Sequence, residues 1–394
     1  VKITGHASGS GVLTVTAPNT STDRTITLPD ATGTLLNSDG SAASLTAIPA
    51  AQITGTLPAI SGASLTGVAT GRKNLIINGN MNVWQRATSF ALTNGKAYTA
   101  DRIAMNPQSV ASTHSRQAVT SPLAGMPQYC LRVQRNVNVT ATGLIYISYD
   151  GESSMAYPCR GKKLTLSFYA RKGANYSATN DYFTLGIVGG KGTDQSLVNG
   201  YTSAGYLANQ NNVLTTSWQR FTVTTGTVAD DISQIGLQGT RNGSGTAGAN
   251  DYYEITGIQV EISDVATDLE HRGYGEELAL CQRYYYAFVG GTQPLAGKIG
   301  IGQYTLSNYL NIQGGMFPVT MRTTPSFVIT NGTSYWSIYR YDVGDLFDTL
   351  SASSVNPHNF ALVGTGNVSG TQGMVGGADI MGNGGGKLHF DAEL

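Results

Sequence analysis

The sequence predicts an all-β chain made of several modules, and three observations lead there. Charged residues make up only 12% of the 394 positions, about half the usual share of roughly 25%. Long amphipathic helices would need the charged faces that are missing. Gly, Ser, Thr and Asn are abundant beside β-branched residues, the mixture that turns and pleated strands require. Short apolar/polar alternations recur along the chain, the period-two signature of half-buried strands. The length leaves room for two or three domains.

Residues 1–39 predict a small β unit. VLTVTAP (12–18), RTITLP (24–29) and GTLLN (33–37) read as strands separated by NTSTD and DATG turns. A unit this short buries little core alone.

Residues 40–71 carry no charge and no aromatic ring. ASLTAI at 43–48 recurs as ASLTGV at 63–68, and Pro49 and Pro58 forbid a continuous helix. Leu45, Ile48, Ile53, Leu57, Ile60, Leu65 and Val68 form an apolar row that one chain cannot bury. The row predicts a neck whose core is shared between chains. The competing reading is a flexible Ser/Gly linker, in which such spacing would have no use.

From 72 to 274, Tyr, Trp and charges appear together. LIYISYD (144–150), KLTLSFYARK (163–172), YFTLGIVG (182–189), WQRFTVTT (218–225) and YYEITGIQVEI (252–262) predict antiparallel strands of a two-sheet sandwich. Trp84 and Trp218 read as core residues. GEELALCQRYYYAF (275–288) predicts the connecting helix, with Leu278, Cys281 and Tyr285 at i, i+3 and i+7. Residues 289–394 predict a C-terminal β tip: KIGIGQYTLSNYLNIQG, SFVITNG, YWSIYRYD, FALVGTG and KLHFDAEL all have strand texture. The glycine-rich run 364–387 fits either a flexible loop set or tight turns between short strands.

Composition excludes some partners and leaves others. Basic and acidic residues balance at 24 each, and no charge block points to nucleic acid or an anionic membrane. A neutral surface lacks the self-repulsion that keeps small proteins apart, which favours permanent assembly. Cys130, Cys159 and Cys281 are too few and too far apart for a disulfide framework. They read as buried reduced thiols, consistent with synthesis in a reducing cytoplasm. Neither a signal peptide nor an apolar membrane span is present. Starting at Val1, the chain reads as a piece of a longer one that continues towards the N-terminus.

Several segments together resemble phage tail fibres. TITLPDATGTLLN is similar to the short β repeat near fibre bases. NLIINGNMNVWQRATSF with YTADRIAM resembles the opening of a jelly-roll module of phage tail proteins. TTSWQRFTVT and ITGIQVEISDVATDLEHRGYGEELALCQRYY resemble its closing strands and the helix after it. MFPVTMRTTPSF and the terminal DAEL resemble fibre ends. The resemblance covers about three quarters of the chain and fades within 289–394. It implies an elongated homotrimeric fibre located in the virion tail and assembled in the host cytoplasm. Other tail proteins would join it through the missing N-terminal part. Its receptor would be a host cell-surface glycan or an outer-membrane protein, read by the tip without membrane insertion.

Enzyme signatures are weak. GNGGGKL (382–388) lacks Ser or Thr after Lys387, and Met381 stands where a phosphate loop begins with Gly. The five histidines are dispersed, without metal-ligand spacing. Asp342, Asp345 and Asp348 in DVGDLFD sit three apart and read as a solvated acidic loop rather than a Ca²⁺ site. Asp230, Asp231 and Asp251 carry the same ambiguity. Jelly-roll modules often hold a structural Ca²⁺, but no ligand set maps onto this sequence. The NxS/T sequons at Asn138, Asn175 and Asn331 match chance expectation in so Asn- and Thr-rich a chain. No catalytic residue, metal ligand or cofactor is therefore assigned. A depolymerase tailspike, which would need two carboxylates about 5–9.5 Å apart, is the first rival, and a purely structural fibre segment the second.

TSYWSIYRYD (333–342) supplies the candidate receptor contacts Tyr335, Trp336, Tyr339, Arg340 and Tyr341. On a strand, Tyr335, Tyr339 and Tyr341 share one face and Trp336 and Arg340 the other. Aromatic rings stack on the apolar faces of sugars, and Arg bonds hydroxyls or carboxylates. One of the faces being trimer core is the alternative.

The neck expectation has a direct check. Light scattering at micromolar concentration should give three times the chain mass. Leu57→Asp with Ile60→Asp should make the neck protease-sensitive, because six carboxylates would be buried at one level. A particle of single-chain mass would contradict the shared core.

Overall fold

Two six-stranded sheets account for most of the middle of the chain. The computed structural model describes residues 73–290, 297–341, 343–381 and 386–394. The expected N-terminal β unit and neck, with Leu57 and Ile60, lie outside the described residues, as does Asp342.

The first sheet runs in the order β1 (Ser89–Leu92), β4 (Ser112–Ala118), β5 (Tyr129–Arg135), β12 (Tyr252–Ile262), β7 (Leu164–Lys172), β10 (Gln219–Thr224). The second runs β2 (Ala97–Tyr98), β3 (Ala104–Pro107), β6 (Leu144–Asp150), β11 (Gln234–Asn242), β8 (Tyr182–Gly190), β9 (Gly205–Val213). Every pairing is antiparallel. From β5 to β8 the chain alternates between the sheets, so each crossover adds to a common core. Phe168 of β7 and Phe183 of β8 meet edge-on across the gap, and Phe183 stacks on Tyr253 of β12. The protein is thus an all-β sandwich with two short helices, α1 (Ser153–Ala156) and α2 (Tyr274–Gln282).

Strand prediction from alternation worked closely here. β6 and β12 span the expected residues, and β7, β8 and β10 differ by one or two at their ends. Trp84, Trp218 and all three free cysteines are buried, as expected.

The connecting helix is shorter than expected. It stops at Gln282, and Tyr285–Val289 is strand β13. Burial alternates in β13 with period two, and Tyr285, Tyr286 and Ala287 face Asp391, Phe390 and His389 of β22 (Lys387–Asp391). The i, i+7 match of Tyr285 was coincidental. Its tertiary pairing overrides a weak helical pattern, as aromatic-rich segments readily allow.

β22 also pairs with β16 (Ser326–Thr330), closing a three-stranded sheet. A seven-stranded sheet completes the C-terminal part. Its order is β18 (Gly344–Phe347), β17 (Trp336–Tyr339), β21 (Val375–Ile380), β14 (Gly297–Leu306), β15 (Tyr309–Ile312), β20 (Phe360–Thr365), β19 (Thr349–Val355). The two sheets share one core containing Phe390, Leu388, Trp336, Leu310 and Phe347. β21 lies inside the glycine-rich run, which therefore includes a central strand. A Cβ on Gly376 would sit 2.4 Å from the Tyr339 carbonyl oxygen and 2.8 Å from Ile338 Cγ1. Only glycine lets β17 pack that close.

Four of the segments that carry the resemblance, NLIINGNMNVWQRATSF, YTADRIAM, ITGIQVEISDVATDLEHRGYGEELALCQRYY and DAEL, converge on one buried joint. Asn78 adopts φ 59° and donates its backbone N–H to Glu277 Oε1 at 2.6 Å. Its amide bridges the Val83 and Asp101 carbonyls. A Cβ on neighbouring Gly79 would stand 2.0 Å from the Ile258 carbonyl oxygen, so this turn lies directly on β12. Gln85 donates to Asp101 and to the Tyr285 carbonyl. Arg86 reaches Asp391 at 3.2 Å and Glu393 at 3.4 Å, with its guanidinium 3.5 Å above the Tyr285 ring. Arg102, fully buried, pairs with Glu393 and stacks 3.5 Å over Tyr284. Arg272 ties Glu270 and Glu277 to the Ile76 carbonyl. The DAEL terminus is therefore internal structure: Lys96 and Tyr98 bond the Leu394 carbonyl, and Arg322 bonds those of Ala392 and Glu393.

Removing one partner of a buried pair strands the other charge, which typically costs about 3–5 kcal/mol. Glu393→Ala should therefore lower the urea midpoint strongly, because it leaves both Arg86 and Arg102 short of their counter-charge. An unchanged midpoint would show that the joint is not energetically central.

Candidate functional site

The outward face of the seven-stranded sheet is almost uncharged. Pairing places Gln303 of β14 opposite Asn311 of β15 on one side and Val375 of β21 on the other. The next row runs Ile301, Gly377, Tyr339, Gly344. Side chains alternate along each strand, so Leu310, Ile312, Tyr304 and Ile338 turn into the core while these point out.

An open cleft of about 600 Å³ lies on this face. Its polar lining is Gln303, Asn311, Gln313 and Asn359, and its apolar lining includes Ile301, Met316 and Val375. Ile301 is 57% and Met316 80% exposed, a degree of apolar exposure that has no folding role. The side-chain amides of Gln303, Asn311 and Gln313 have no hydrogen-bond partner among the described residues. Each offers both donors and an acceptor. The lining contains no carboxylate, histidine, cysteine or serine. Such a cleft can exchange hydrogen bonds with hydroxyl groups and cover apolar C–H surface. Its lining supplies no acid, base or nucleophile. Beside it, a Cβ on Gly377 would meet nothing within 4 Å, so an open notch separates Ile301 from Tyr339.

The expected contacts scatter around this face. Trp336 must be withdrawn from them: it is 0% exposed, in the core beneath β21, with its indole N–H donated to Asn331 Oδ1 at 2.9 Å. Trp336 and Arg340 do leave the strand on one side, but that side is the core. Arg340 lies at its margin, 5.2 Å above the buried Tyr304 ring, with one guanidinium nitrogen 3.4 Å from Met374 Sδ. Tyr335 is half-buried against the same core. Tyr339 is half exposed and Tyr341 fully exposed at the β17–β18 turn. Those two, with Arg340, are the members of the set that a partner can reach.

The sequence reading missed the cleft itself. Alternation in KIGIGQYTLSNYLNIQG marks Gln303 and Asn311 as outward positions. Nothing local says that β14 and β15 pair in the register that sets them side by side, or that β21 lies beside them.

Asp231, Asp251, Asp345 and Asp348, considered as Ca²⁺ ligands, have protein partners instead. Asp251 is fully buried and accepts from Arg135, Arg241 and Ser177. Asp345 accepts from the Tyr304 hydroxyl and the Ser369 N–H, and Asp348 from the Ser334 N–H. Asp231 pairs with Lys191 at 2.5 Å. Among the described residues no group of three His, Cys, Asp or Glu is placed to hold a metal ion. Burial pushes His114 and His389 down to about 4, and raises all three cysteine thiols above their ordinary value.

No protein-family model matches the sequence, and no curated protein matches it. Solved structures align to about half the chain. The enzymatically active domain of tailspike protein 4 from bacteriophage CBA120 is 12% identical over 48% of this chain and 21% of its own, with TM-score 0.29. The chain thus spans about a fifth of that protein's length. The CBM22-1 xylan-binding domain of Paenibacillus barcinonensis Xyn10C is 12% identical over 50% of this chain and 100% of its own, with TM-score 0.27. A cyclase from Fischerella sp. TAU is 9% identical over 50% and 100%, with TM-score 0.34. At these scores the sandwich assignment rests on the sheets themselves.

Truncations separate core from surface in this region. Trp336→Ala should cost about 3–5 kcal/mol and melt early. Tyr339→Ala with Tyr341→Ala should leave melting within about 0.5 kcal/mol of wild type, as exposed substitutions do. Calorimetric melting of the two variants checks both statements. Equal losses would mean that the exposed tyrosines are also core.

Proposed function

We propose that the chain is the distal part of a phage tail fibre that adheres to a glycan on the host bacterial surface without cleaving it. One observation carries the reading: the C-terminal sheet turns outward a neutral cleft in which the amides of Gln303, Asn311 and Gln313 have no hydrogen-bond partner among the described residues, beside the exposed apolar side chains of Ile301, Met316 and Val375. A sugar presents hydroxyls and apolar C–H faces together, so it matches both halves of that lining. The resemblance of the joint segments to phage tail proteins supplies the setting. A homotrimer would present three such tips. Individually weak contacts then gain avidity through effective concentration.

A lining without carboxylates favours adhesion over depolymerisation, which needs an acid and a base or nucleophile across the scissile bond. Substitution in the full chain is the cleaner test than truncation, because Asp391 and Glu393 belong to the buried joint. Gln303→Ala with Asn311→Ala should leave melting and particle mass unchanged. Binding of the labelled fibre to host cells should weaken at least roughly tenfold, about 1.4 kcal/mol. Full binding by this variant would remove the cleft from the site. Release of reducing sugar from host envelope would establish the depolymerase instead, and failure of the wild type to decorate any host cell the structural spacer.

A further inference from the structure

The outward face of the sandwich sheet containing β3, β6, β11, β8 and β9 has a composition that stability does not explain. Pairing sets Asn106 beside Tyr146, Tyr146 beside Thr240, Thr240 beside Thr184, and Thr184 beside Asn211. The adjoining row runs Ser148, Gln238, Gly186, Asn209. No charge occurs in either row. At one end of this face Lys96 meets Asp150 at 3.0 Å, and Arg241 of β11 is buried against Asp251.

Two hollows adjoin on this face. One, of about 290 Å³, is lined by Asn106, Tyr146, Ser148 and Gln238. The other, of about 190 Å³, is lined by Val188, Leu197 and Tyr206 and shares Gln238. Joined, they reach the lower range of ligand sites, roughly 300–1,000 Å³. The Tyr206 hydroxyl donates to Gln238 Oε1 at 3.2 Å, which orients the amide at the boundary between them. The hydroxyls of Tyr146 and Ser148 have no protein partner among the described residues. Burial, and then the nearby Tyr146, raise the Tyr206 hydroxyl above its ordinary pKa.

We propose that this groove is a second glycan site, on the sandwich, for a neutral oligosaccharide. The polar hollow offers amide and hydroxyl groups that both donate and accept, as a ring of sugar hydroxyls requires. The second offers the exposed Tyr206 ring, with Ala204 beside it, to the C–H face of the next sugar. An anionic glycan or a nucleic acid would leave its charge without a counter-ion here. The site is separate from the tip cleft and does not depend on it.

The experiment titrates the full chain with hexasaccharides of xylose, glucose, mannose and galactose, and with an anionic hyaluronan hexasaccharide. Wild type should bind at least one neutral probe and not the anionic one. Tyr146→Ala with Gln238→Ala, and Gln238→Ala alone as the less invasive change, should weaken that binding at least roughly tenfold and threefold, with melting unchanged. Gln303→Ala with Asn311→Ala in the tip should leave it intact. Loss of cell adhesion in the tip variant is a separate readout, so either site can fail without the other. The inference is overturned by no neutral binding up to roughly 10 mM. It is equally overturned by full affinity in the sandwich variants, or by loss only in the tip variant. Anionic binding through the same residues, or a changed particle mass in the sandwich variants, would overturn it in favour of another occupant.

Discussion

The pairing of Arg102 with Glu393 is the constraint around which the described structure is arranged. Both groups are out of water, and an ionised group there is tolerable only with its partner in place. Glu393 also reaches Arg86, so residues 391–393 are tied to the sandwich by two guanidinium groups. Arg86 adds a second demand, since its guanidinium needs Asp391, Glu393 and the Tyr285 ring together. These requirements fix where β13 and β22 run, and through them the three-stranded sheet. Burying the same volume as aliphatic side chains would cost less desolvation. An ion pair instead accepts one geometry, which suits a joint that must hold two sheet systems in register.

This changes the meaning of the familiar segments. NGNMNVWQR, YTADR, ATDLEHR, EELALCQRYY and DAEL looked like landmarks of a module. They are the residues that build its joint: Asn78, Gln85, Arg86, Asp101, Arg102, Glu270, Arg272, Glu277, Tyr285 and Glu393 bond one another or one another's backbone. A resemblance carried by such residues speaks for a shared architecture. It says little about a ligand of the C-terminal sheet, because Met316 alone of the cleft lining falls in a segment that carries the resemblance.

Legibility in the sequence followed the range of the interactions involved. β6, β7, β8, β10 and β12 were readable because runs of β-branched and aromatic residues are a local signal, present even in β7 and β12, where nearly every residue is buried. The start of α2 was readable from its acidic first turn, whereas its end was not. Tyr285 becomes a strand residue only because Asp391 lies opposite, more than a hundred positions away. β21 was hidden for a related reason. Its VGGADI sequence has weak strand propensity, and its Gly376 is there to admit Ile338 and Tyr339 from β17. Trp336 was misjudged because aromatic clusters look alike whether buried or exposed. The deciding fact is the packing of the seven-stranded sheet with the three-stranded one, which puts Trp336 in the same core as Leu388 and Phe390. Gln303 and Asn311 were each visible as outward residues, but their adjacency depends on register.

Both neutral faces sit on paired strands rather than on loops, and this bears on how the protein could hold a sugar. Without net charge, neither face can draw a ligand in from a distance or gain from counter-ion release. The affinity of one site must then come from short-range hydrogen bonds and apolar contact, which water competes with directly. Rigid strands reduce the ordering cost of such contacts, because side-chain positions are set by backbone register before the ligand arrives. Even so, a single cleft of amides and aliphatic groups should bind weakly. Weak single sites suit a surface that meets a repeating polymer, where each detached contact has an identical neighbour in reach. Repetition of the site, within one chain or among several, would then supply the holding strength that no individual contact provides.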